Sequence, residues 1–365
     1  MLPRILQRGF CPFLVAMLGL PLSSFVSGCG VPFRYFPQAA LGQLELFNRA
    51  RPIQEVVEDV RVPTRVRELL REIPKIKKFG ESRGLKATSN YVDYVALDRP
   101  AVVWVVSASP PFQFDSKKWS FPIVGGFTYL GWFQQEAALR YAREIQEAEG
   151  LDVDVRGASA YSTLGWFRDP VLSTMIPEGV ESRGELVNVV LHESVHASFY
   201  IDHQSTFNEN IANFVANELT REYFVDSSQS RETEQTVWKA WQEREIRSAA
   251  RQKKFHEAYI KLEALYRRTD LAVEGKREAK NEIVEQLRKE LGLSKERTLN
   301  NATLIQYRTY HSGQAEWAEF FEKSCHRDWQ LFWKRLETVR IQPEKWFPER
   351  QMEDFAPLLR RLGED

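Results

Sequence analysis

The stretch ELVNVVLHESVH, residues 185–196, decides how the rest of the sequence is interpreted. Its first seven residues are mostly apolar and include neither proline nor glycine, so we predict a helix here. Residues four apart lie on one face of a helix, and His192 and His196 can therefore hold one metal ion between them. Glu193 projects beside them, where a carboxylate can take a proton from metal-bound water. The HExxH pattern thus predicts a catalytic zinc site with Glu193 as its base.

A third protein ligand is usual for catalytic zinc, and the sequence offers a carboxylate for this position. His203 follows His196 without an intervening glycine, so the longer motif that ends in a third histidine does not fit. Residues 202–206 form a polar turn, and apolar residues recur at helical spacing from Phe207 onward. Two helices joined by so short a turn pack side by side and roughly antiparallel. Glu209, near the start of the second helix, is therefore predicted to complete the site.

Glu218 is the alternative third ligand, because it would reach the site if the turn were longer than predicted. It lies some ~13 Å farther along the helix axis than Glu209, and we therefore favour Glu209. Glu209 could also serve only to balance the helix dipole, a role that is compatible with ligation. Asn213, one turn after Glu209, is a candidate hydrogen-bond partner for a ligand histidine, although an ordinary polar helix residue would also fit there.

The N-terminus resembles the export signal of a lipoprotein. Two arginines precede an apolar stretch at residues 10–22, which is too short to span a bilayer. Val-Ser-Gly-Cys at 26–29 then resembles the lipobox of bacterial lipoproteins, whose cysteine carries the lipid. We therefore expect a signal peptide over 1–28 and lipidation of Cys29, which implies a cell-envelope lipoprotein, facing the periplasm from the outer membrane in a two-membrane bacterium. The alternative is an ordinary secreted protein in which Cys29 is a small core residue.

The composition excludes some classes of protein. The 365-residue chain has 50 basic and 50 acidic residues and hence no net charge. Nucleic-acid binding normally requires a one-sided basic field, so we expect no nucleic-acid partner. Of the three cysteines, Cys11 leaves with the signal and Cys29 carries lipid, so Cys325 alone remains. We therefore expect no internal disulfide, and the hydrophobic core must supply the stability.

The region ahead of the HESVH helix mixes helices with strands, which predicts a small β-sheet there. Gly150 is expected to end the last of these helices. The predicted helices are 36–51, 63–78 and 134–149, and the predicted strands are a buried run at 101–106, two strands around Gly125-Gly126 within 119–130, and an alternating strand at 151–155.

A long charged segment at 231–292 is predicted to be helical, with a broken apolar stripe that includes Trp241, Phe255 and Tyr259. We interpret it as a solvated helical arm. The fold class is therefore α+β and predominantly helical, with a zincin-like core, a small sheet packed on the HExxH helix, and the charged arm. The predicted segments are a signal at 1–28, helices and the peptidase core at 29–230, the arm at 231–292, and C-terminal helices that complete the core at 293–365.

Several motifs together resemble a bacterial family of predicted zinc aminopeptidases, whose members are typically lipoproteins. The resemblance covers most of the mature chain, and it implies that His192, His196 and Glu209 bind zinc and that Glu193 is the catalytic carboxylate. This sequence differs from the family at Ser194-Val195 and in its long charged segment. The motifs are AYSTLGWFRDP at 160–170, HESVH at 192–196, FNE at 207–209, ARPI at 50–53, GWF at 131–133, and NNA at 300–302 with Tyr307 and Tyr310.

The function predicted from these features is zinc-dependent hydrolysis of peptides by a protein anchored to the membrane through Cys29. Tyr310 or His311 is expected to donate a hydrogen bond to the oxyanion, with Tyr310 as our choice, although either could be a buried aromatic. Residues 161–169 could form an edge along which an extended peptide binds, or simply a packed loop. One alternative is a catalytically silent envelope-binding lipoprotein with structural zinc. Another is a scaffold that recruits a protein partner through 231–292.

Overall fold

The computed structural model describes residues 34–121, 125–160, 168–225, 232–308, 313–348, 352 and 354–364. Helices predominate over short strands, which confirms the predicted α+β, predominantly helical fold class. Within this part of the chain, none of the helices has both the length and the apolar character needed to cross a bilayer. The strands are β1 (Arg51–Pro52), β2 (Asp93–Val95), β3 (Val103–Ser109), β4 (Trp119–Phe121), β5 (Gly125–Phe127), β6 (Leu130–Trp132), β7 (Asp152–Ala158) and β8 (Val171–Leu172). The α-helices are α1 (Tyr35–Arg49), α2 (Ile53–Glu58), α3 (Thr64–Ser82), α4 (Gln135–Glu149), α5 (Ser182–Ser198), α6 (Ser205–Val225), α7 (Glu232–Arg267), α8 (Val273–Glu290), α9 (Asn301–Leu304), α10 (Gln314–Glu319), α11 (Trp329–Ile341), α12 (Pro343–Trp346) and α13 (Ala356–Glu364).

The chain divides into two compact units, each formed from three separate segments. Helix α7 contributes its first part to unit 2 and its remainder to unit 1. The linear segmentation predicted from the sequence stays a prediction. Unit 1 comprises Met1–Ala50, Leu97–Tyr161 and Lys254–Arg308, and unit 2 comprises Arg51–Ala96, Ser162–Lys253 and Thr309–Asp365.

Unit 1 contains a three-stranded antiparallel sheet in the order β6-β3-β7, with the apolar strand β3 at its centre. Helix α4 covers this sheet and ends at Gly150, whose φ of 66° lies in the left-handed region that glycine adopts without steric cost. Strands β4 and β5 form a separate antiparallel pair. Gly125 and Gly126 lie within β5, opposite Phe121 and Ser120, rather than in the predicted turn.

A second core in unit 1 buries the apolar stripe of the charged segment. Phe255, Tyr259 and Leu262 of α7 pack with Val284 and Leu287 of α8, and all five side chains are buried. The charged residues of these helices therefore cover an apolar face that is packed within the unit.

Unit 2 contains α5, the helix that carries HESVH, and a small sheet in the order β1-β2-β8. Helix α5 packs on α6 and on α3. Gly80 permits the close approach of α3, since a Cβ there would lie 3.1 Å from side-chain carbons of both Leu191 and Leu85. The C-terminal helices add a buried aromatic cluster to the same unit, in which Trp317 and Phe332 pack on Phe214 of α6.

Candidate metal centre

The HESVH motif lies in the last two turns of α5, as the sequence predicts. One side of the helix is fully apolar and buried, and includes Val187, Leu191 and Val195. This burial, which removes apolar surface from water, holds the helix against its neighbours. The side chains of His192 and His196 lie on another face and are 17% and 11% exposed. The periodicity of α5 therefore places both imidazoles together at the margin of the buried core.

The turn between α5 and α6 is fixed by the side chain of Asn208. Its Oδ1 accepts a hydrogen bond from the backbone N–H of Ile201 at 2.9 Å, and its Nδ2 donates to the carbonyl of the same residue at 2.8 Å. Gln204 is also buried here, and its Oε1 accepts from the backbone N–H of Met352 at 3.0 Å. His203 takes a left-handed φ of 63°, which lets the chain reverse within a few residues. These contacts determine where α6 begins relative to the two histidines.

The structure brings the three predicted ligands to one point. The Nε2 atoms of His192 and His196 are 3.1 Å apart. The carboxylate of Glu209 lies 3.4 Å from each of them, through Oε2 to His192 and Oε1 to His196. Within the described part of the chain, the candidate ligand atoms of these three side chains all lie within 4.8 Å of one another.

The donor set and its spacing fit a zinc ion. Zinc takes imidazole nitrogen and carboxylate oxygen at about 2.0–2.2 Å in tetrahedral geometry, which separates adjacent ligand atoms by about 3.3–3.5 Å. The two Nε2 atoms are 3.1 Å apart, and each lies 3.4 Å from a different oxygen of the Glu209 carboxylate, so the three side chains are close enough to share one ion. Three protein ligands leave a fourth position for water or substrate, as in catalytic zinc sites. The 58% exposure of the Glu209 side chain leaves the site accessible from solvent.

The ionisable side chains at this site shift one another's pKa values. Although the Glu209 side chain is exposed at its edge, the protein around its carboxylate displaces water and tends to raise its pKa; hydrogen bonds from His192 and His196 outweigh this effect and hold that pKa well below its ordinary value. Burial tends to lower the pKa of His196, but the carboxylate of Glu209 outweighs it and raises that pKa. The negative charge of Glu209 favours positive charge on the neighbouring imidazole. A divalent cation bound between these side chains would supply that positive charge instead.

Glu193 has a different environment from Glu209, although both are acids near the same histidines. Burial is the main effect on its carboxyl and raises its pKa above the ordinary value. The histidines oppose this rise, whereas the negative charges of Glu209 and Asp169 add to it. One carboxylate is therefore held in its charged form, and the other binds a proton more readily, which is the division of roles expected between a ligand and a base.

Two buried residues interact electrostatically with Glu193. Asp169 ends the predicted substrate edge at 161–169, whereas Tyr91 has no signal in the sequence. Tyr91 is buried and has a left-handed φ of 61°, and its backbone N–H donates to the carbonyl of Asp169 at 2.8 Å. Asp169 is buried as well, and its own N–H donates to Oδ1 of Asn90 at 3.1 Å. No local pattern predicts a left-handed tyrosine, because that conformation is imposed by tertiary contacts.

The alternative ligand Glu218 does not belong to this cluster. Its carboxylate accepts hydrogen bonds from Arg221 at 2.9 and 3.0 Å and from Arg327 at 3.4 Å. Asn213 is exposed on α6, and no hydrogen bond joins it to either histidine within the described residues. The turn therefore has the short length that favoured Glu209.

The other site predictions fall on residues that the structure does not describe. Tyr310 and His311, the predicted oxyanion donors, lie outside the described residues, as do Cys29 and most of the predicted substrate edge at 161–167. These assignments stay predictions.

The fold and the site together define an α+β protein with a HExxH helix and a glutamate from the next helix at one potential metal centre. A comparison with protein families matches residues 34–350 to the family described as "Putative aminopeptidase", and the chain belongs to this family. Membership supports a peptidase-like function with peptides as substrates. Comparisons with curated proteins and with solved structures gave no match.

Proposed function

We propose that this protein is a zinc-dependent peptide hydrolase, specifically an aminopeptidase, with a zincin-like site. The observation that supports this most directly is the convergence of His192, His196 and Glu209, whose ligand atoms all lie within 4.8 Å of one another. Glu193, one residue after the first histidine, distinguishes a catalytic site from a structural one, because a purely structural zinc has no use for this acid.

The chain's own residues divide the work of the reaction. His192, His196 and Glu209 would hold the ion, which when bound supplies a Lewis acid for the peptide carbonyl and lowers the pKa of water. Two neutral imidazoles and one carboxylate leave a net positive charge at such a centre, which favours this acidification. Glu193 takes the proton of the attacking water and delivers it to the nitrogen of the leaving amine. Burial of Glu193 supports this role, since it raises the pKa of the base toward the working pH.

Metal binding and catalysis are tested separately by matched substitutions. Glu209→Gln is expected to lose stoichiometric zinc, whereas Glu218→Gln is the matched control on the same helix and should keep it. Glu193→Gln should keep zinc but lose cleavage by several orders of magnitude, because it removes the base and not a ligand. Zinc content by elemental analysis and peptide cleavage of all three variants decide the outcome. Equal cleavage by Glu193→Gln and wild type would eliminate Glu193 as the base.

Thermal unfolding adds a measurement that does not depend on the substrate. Free zinc at about 100 times its Kd stabilises a protein by about 2.7 kcal/mol, so zinc should raise the Tm of the wild type. It should leave the Tm of Glu209→Gln nearly unchanged. Zinc binding without cleavage of any peptide would instead favour the catalytically silent envelope-binding lipoprotein.

The aminopeptidase assignment needs a test of its own, since endopeptidases use the same metal chemistry. An aminopeptidase recognises the free α-amino group of its substrate, so peptides with free N-termini should be cleaved and their acetylated counterparts should not. Cleavage of both sets at internal bonds would make the protein an endopeptidase.

The lipid anchor is proposed from the lipobox-like residues 26–29. It would hold the enzyme at the cell envelope, on the outer membrane facing the periplasm. Labelling with a radioactive fatty acid should mark the wild type and not Cys29→Ser. We also propose that residues 231–292 recruit a protein partner. In a pull-down, binding of that partner should be lost when the exposed charges of this segment are changed and should persist when zinc is removed.

A further inference from the structure

Helix α1 carries apolar side chains on the side that faces solvent. Its exposed positions are spaced by four and three residues, so they lie along one side of the helix. Leu41 is 66% exposed, and Leu44 is 37% exposed. A helix on the surface of a globular protein normally carries polar residues on this side and apolar residues on the other. The exposed positions within α1 are Pro37, Leu41, Leu44 and Asn48.

The opposite side of α1 is packed against unit 1. Gly42 is buried there, and a Cβ on it would lie 2.0 Å from Cγ of Phe133. The backbone N–H of Phe133 also donates a hydrogen bond to Oε1 of Gln38 at 2.9 Å. These contacts fix which side of the helix faces the unit, so Leu41 and Leu44 stay on the outside.

The charged side chains of α1 are paired and lie outside the exposed stripe. The carboxylate of Glu45 accepts hydrogen bonds from Arg99 at 2.8 Å and from Arg49 at 3.0 Å. Arg49 also pairs with Asp98. Neither Glu45 nor Arg49 is among the exposed positions, so the outer side of α1 carries no charged side chain.

The two exposed leucines of α1 differ from the other exposed apolar residues of the protein. Among the large apolar side chains that are exposed in the described part of the chain, Leu41 and Leu44 are the two that lie one helical turn apart. Ile246 and Ile260 also share a helix, but several turns separate them. Single exposed apolar residues such as Val273 are normal on a protein surface, whereas neighbouring ones indicate an interaction surface.

The end of α1 nearer to Cys29 adds a cluster of half-buried aromatic rings. Tyr35 and Phe36 lie 5.8 and 5.9 Å from the ring of Phe121, measured between centroids. The ring of Phe127 lies 5.6 Å from the same side chain. Aromatic side chains are enriched where proteins meet the interface between membrane and water. The start of the helix therefore has the composition of a surface that contacts lipid.

We propose that the outer side of α1, formed by Pro37, Leu41 and Leu44, lies in the surface of the lipid bilayer, an inference that rests on the proposed lipid anchor. Tyr35 follows Cys29 by six residues, and six residues span at most about 20 Å. A lipid on Cys29 holds the start of α1 within that distance of the bilayer. An amphipathic helix at such an interface buries its apolar side about 5–10 Å into the boundary between headgroups and acyl chains.

A fluorescent label on a single cysteine tests this contact in the complete lipidated protein. Cys325 is buried, and the lipid blocks Cys29, so a cysteine introduced on the surface reacts selectively. Leu41→Cys and Val273→Cys are each labelled with a nitrobenzoxadiazole dye. Val273 is the matched control, because it is 59% exposed and lies on α8 of the same unit.

The labelled proteins are placed in vesicles of phosphatidylethanolamine and phosphatidylglycerol that contain a phosphatidylcholine with a nitroxide on its acyl chain. Quenching at position 41 should exceed quenching at position 273 by at least about twofold, because an interfacial helix reaches the acyl boundary. Adding Leu44→Asp to the Leu41→Cys protein should remove most of this difference, since a charge there disfavours insertion into lipid. Position 44 reaches solvent, so zinc content and circular dichroism should not change.

The possible results separate this contact from the anchor on which it depends. Equal quenching at the two positions in a lipidated protein overturns the contact and leaves the anchor intact, as does quenching that Leu44→Asp does not reduce. A label at position 41 that becomes shielded without vesicles, in proportion to protein concentration, also overturns it and assigns this side of α1 to a second copy of the chain. A protein that takes up no fatty acid at Cys29 overturns the contact and the anchor together and leaves the proposed zinc hydrolase standing.

Discussion

Replacing Asn208 with leucine is predicted to weaken zinc binding without touching a ligand. The Asn208 side chain is buried and makes two hydrogen bonds to the backbone of Ile201, which is itself 3% exposed. Leucine has a similar volume but no polar atom, so the N–H of Ile201 would lose its partner while remaining buried, and its C=O would keep only the longer hydrogen bond from the N–H of Gln204 at 3.3 Å. The turn that sets Glu209 opposite the two histidines would then have to relax.

The expected loss of stability follows from those two backbone groups. A buried donor left without a partner costs about 1–3 kcal/mol, and loss of one of the two hydrogen bonds to the carbonyl adds about 0.5–1.5 kcal/mol, so the total is about 1.5–4.5 kcal/mol. This is a large part of the 5–15 kcal/mol that stabilises a typical domain. Substitutions that disturb the orientation of metal ligands usually weaken metal binding by about 10- to 100-fold, and we expect an effect in this range.

Asn188 supplies a matched control, because it also joins α5 to α6 but does so away from the turn. Its Nδ2 donates to Oδ1 of Asn217 at 2.9 Å and to Oγ1 of Thr220 at 3.3 Å. Water can replace part of these bonds at this half-buried position, so Asn188→Leu should cost only about 0.5–1.5 kcal/mol. Its zinc affinity should equal that of the wild type.

Urea unfolding of the metal-free proteins measures stability, and competition with a chromophoric chelator in the absence of urea measures zinc affinity. The affinity is compared at a temperature at which circular dichroism shows each variant to be folded. If Asn208→Leu were destabilised but bound zinc with wild-type affinity, the turn would not determine the geometry of the site, and the reasoning would be refuted.

Three further substitutions test the packing and the charges away from the site. Burial raises the pKa of Asp154 above its ordinary 3.8, so the wild type should lose stability as pH rises through the raised pKa. Asp154→Asn should flatten this decline when stability is measured by urea unfolding. An unchanged dependence on pH would contradict the prediction. Gly42→Ala should lower Tm and cost about 1–3 kcal/mol, because a Cβ would lie 2.0 Å from Cγ of Phe133; an unchanged Tm would count against this close approach. Arg183 pairs with Glu72 and with Glu234. Arg183→Leu should lower the free energy of unfolding in urea by about 1–3 kcal/mol, which is less than for a fully buried pair because both acids reach solvent. High salt should reduce the difference between the variant and the wild type, and a salt-independent loss would indicate packing alone.

The grouping of the candidate metal ligands could be predicted from the sequence because it depends on short-range geometry. The helical repeat alone puts His192 and His196 on one face, and a turn of only a few residues brings Glu209 back to them. Neither step requires knowledge of the rest of the fold. Helix α4 could be predicted for the same reason, since its end is marked by Gly150 at the C-cap.

The surroundings of the base could not be predicted, because they depend on contacts between distant parts of the chain. Tyr91 and Asp169 are 78 residues apart by their numbers, and a backbone hydrogen bond joins them. Asn208 directly precedes the predicted ligand Glu209 in the sequence. Its two buried hydrogen bonds to Ile201 could not be predicted, because no pattern of residue type or spacing indicates them. Sequence patterns thus predict which candidate ligands lie together better than they predict the residues that orient them.

The charged segment shows why hydrophobic periodicity can mislead. In unit 2, Trp241 of α7 is buried and lies against Gly184, where a Cβ would come within 2.7 Å of the indole. In unit 1, Phe255 and Tyr259 of the same helix are buried in a different core. No residue in the fully described stretch between Trp241 and Phe255 is buried. The apolar stripe of α7 is therefore interrupted, because its two ends are buried in different cores. A solvated helical arm would show the same broken pattern in the sequence, so the two cases could not be distinguished there.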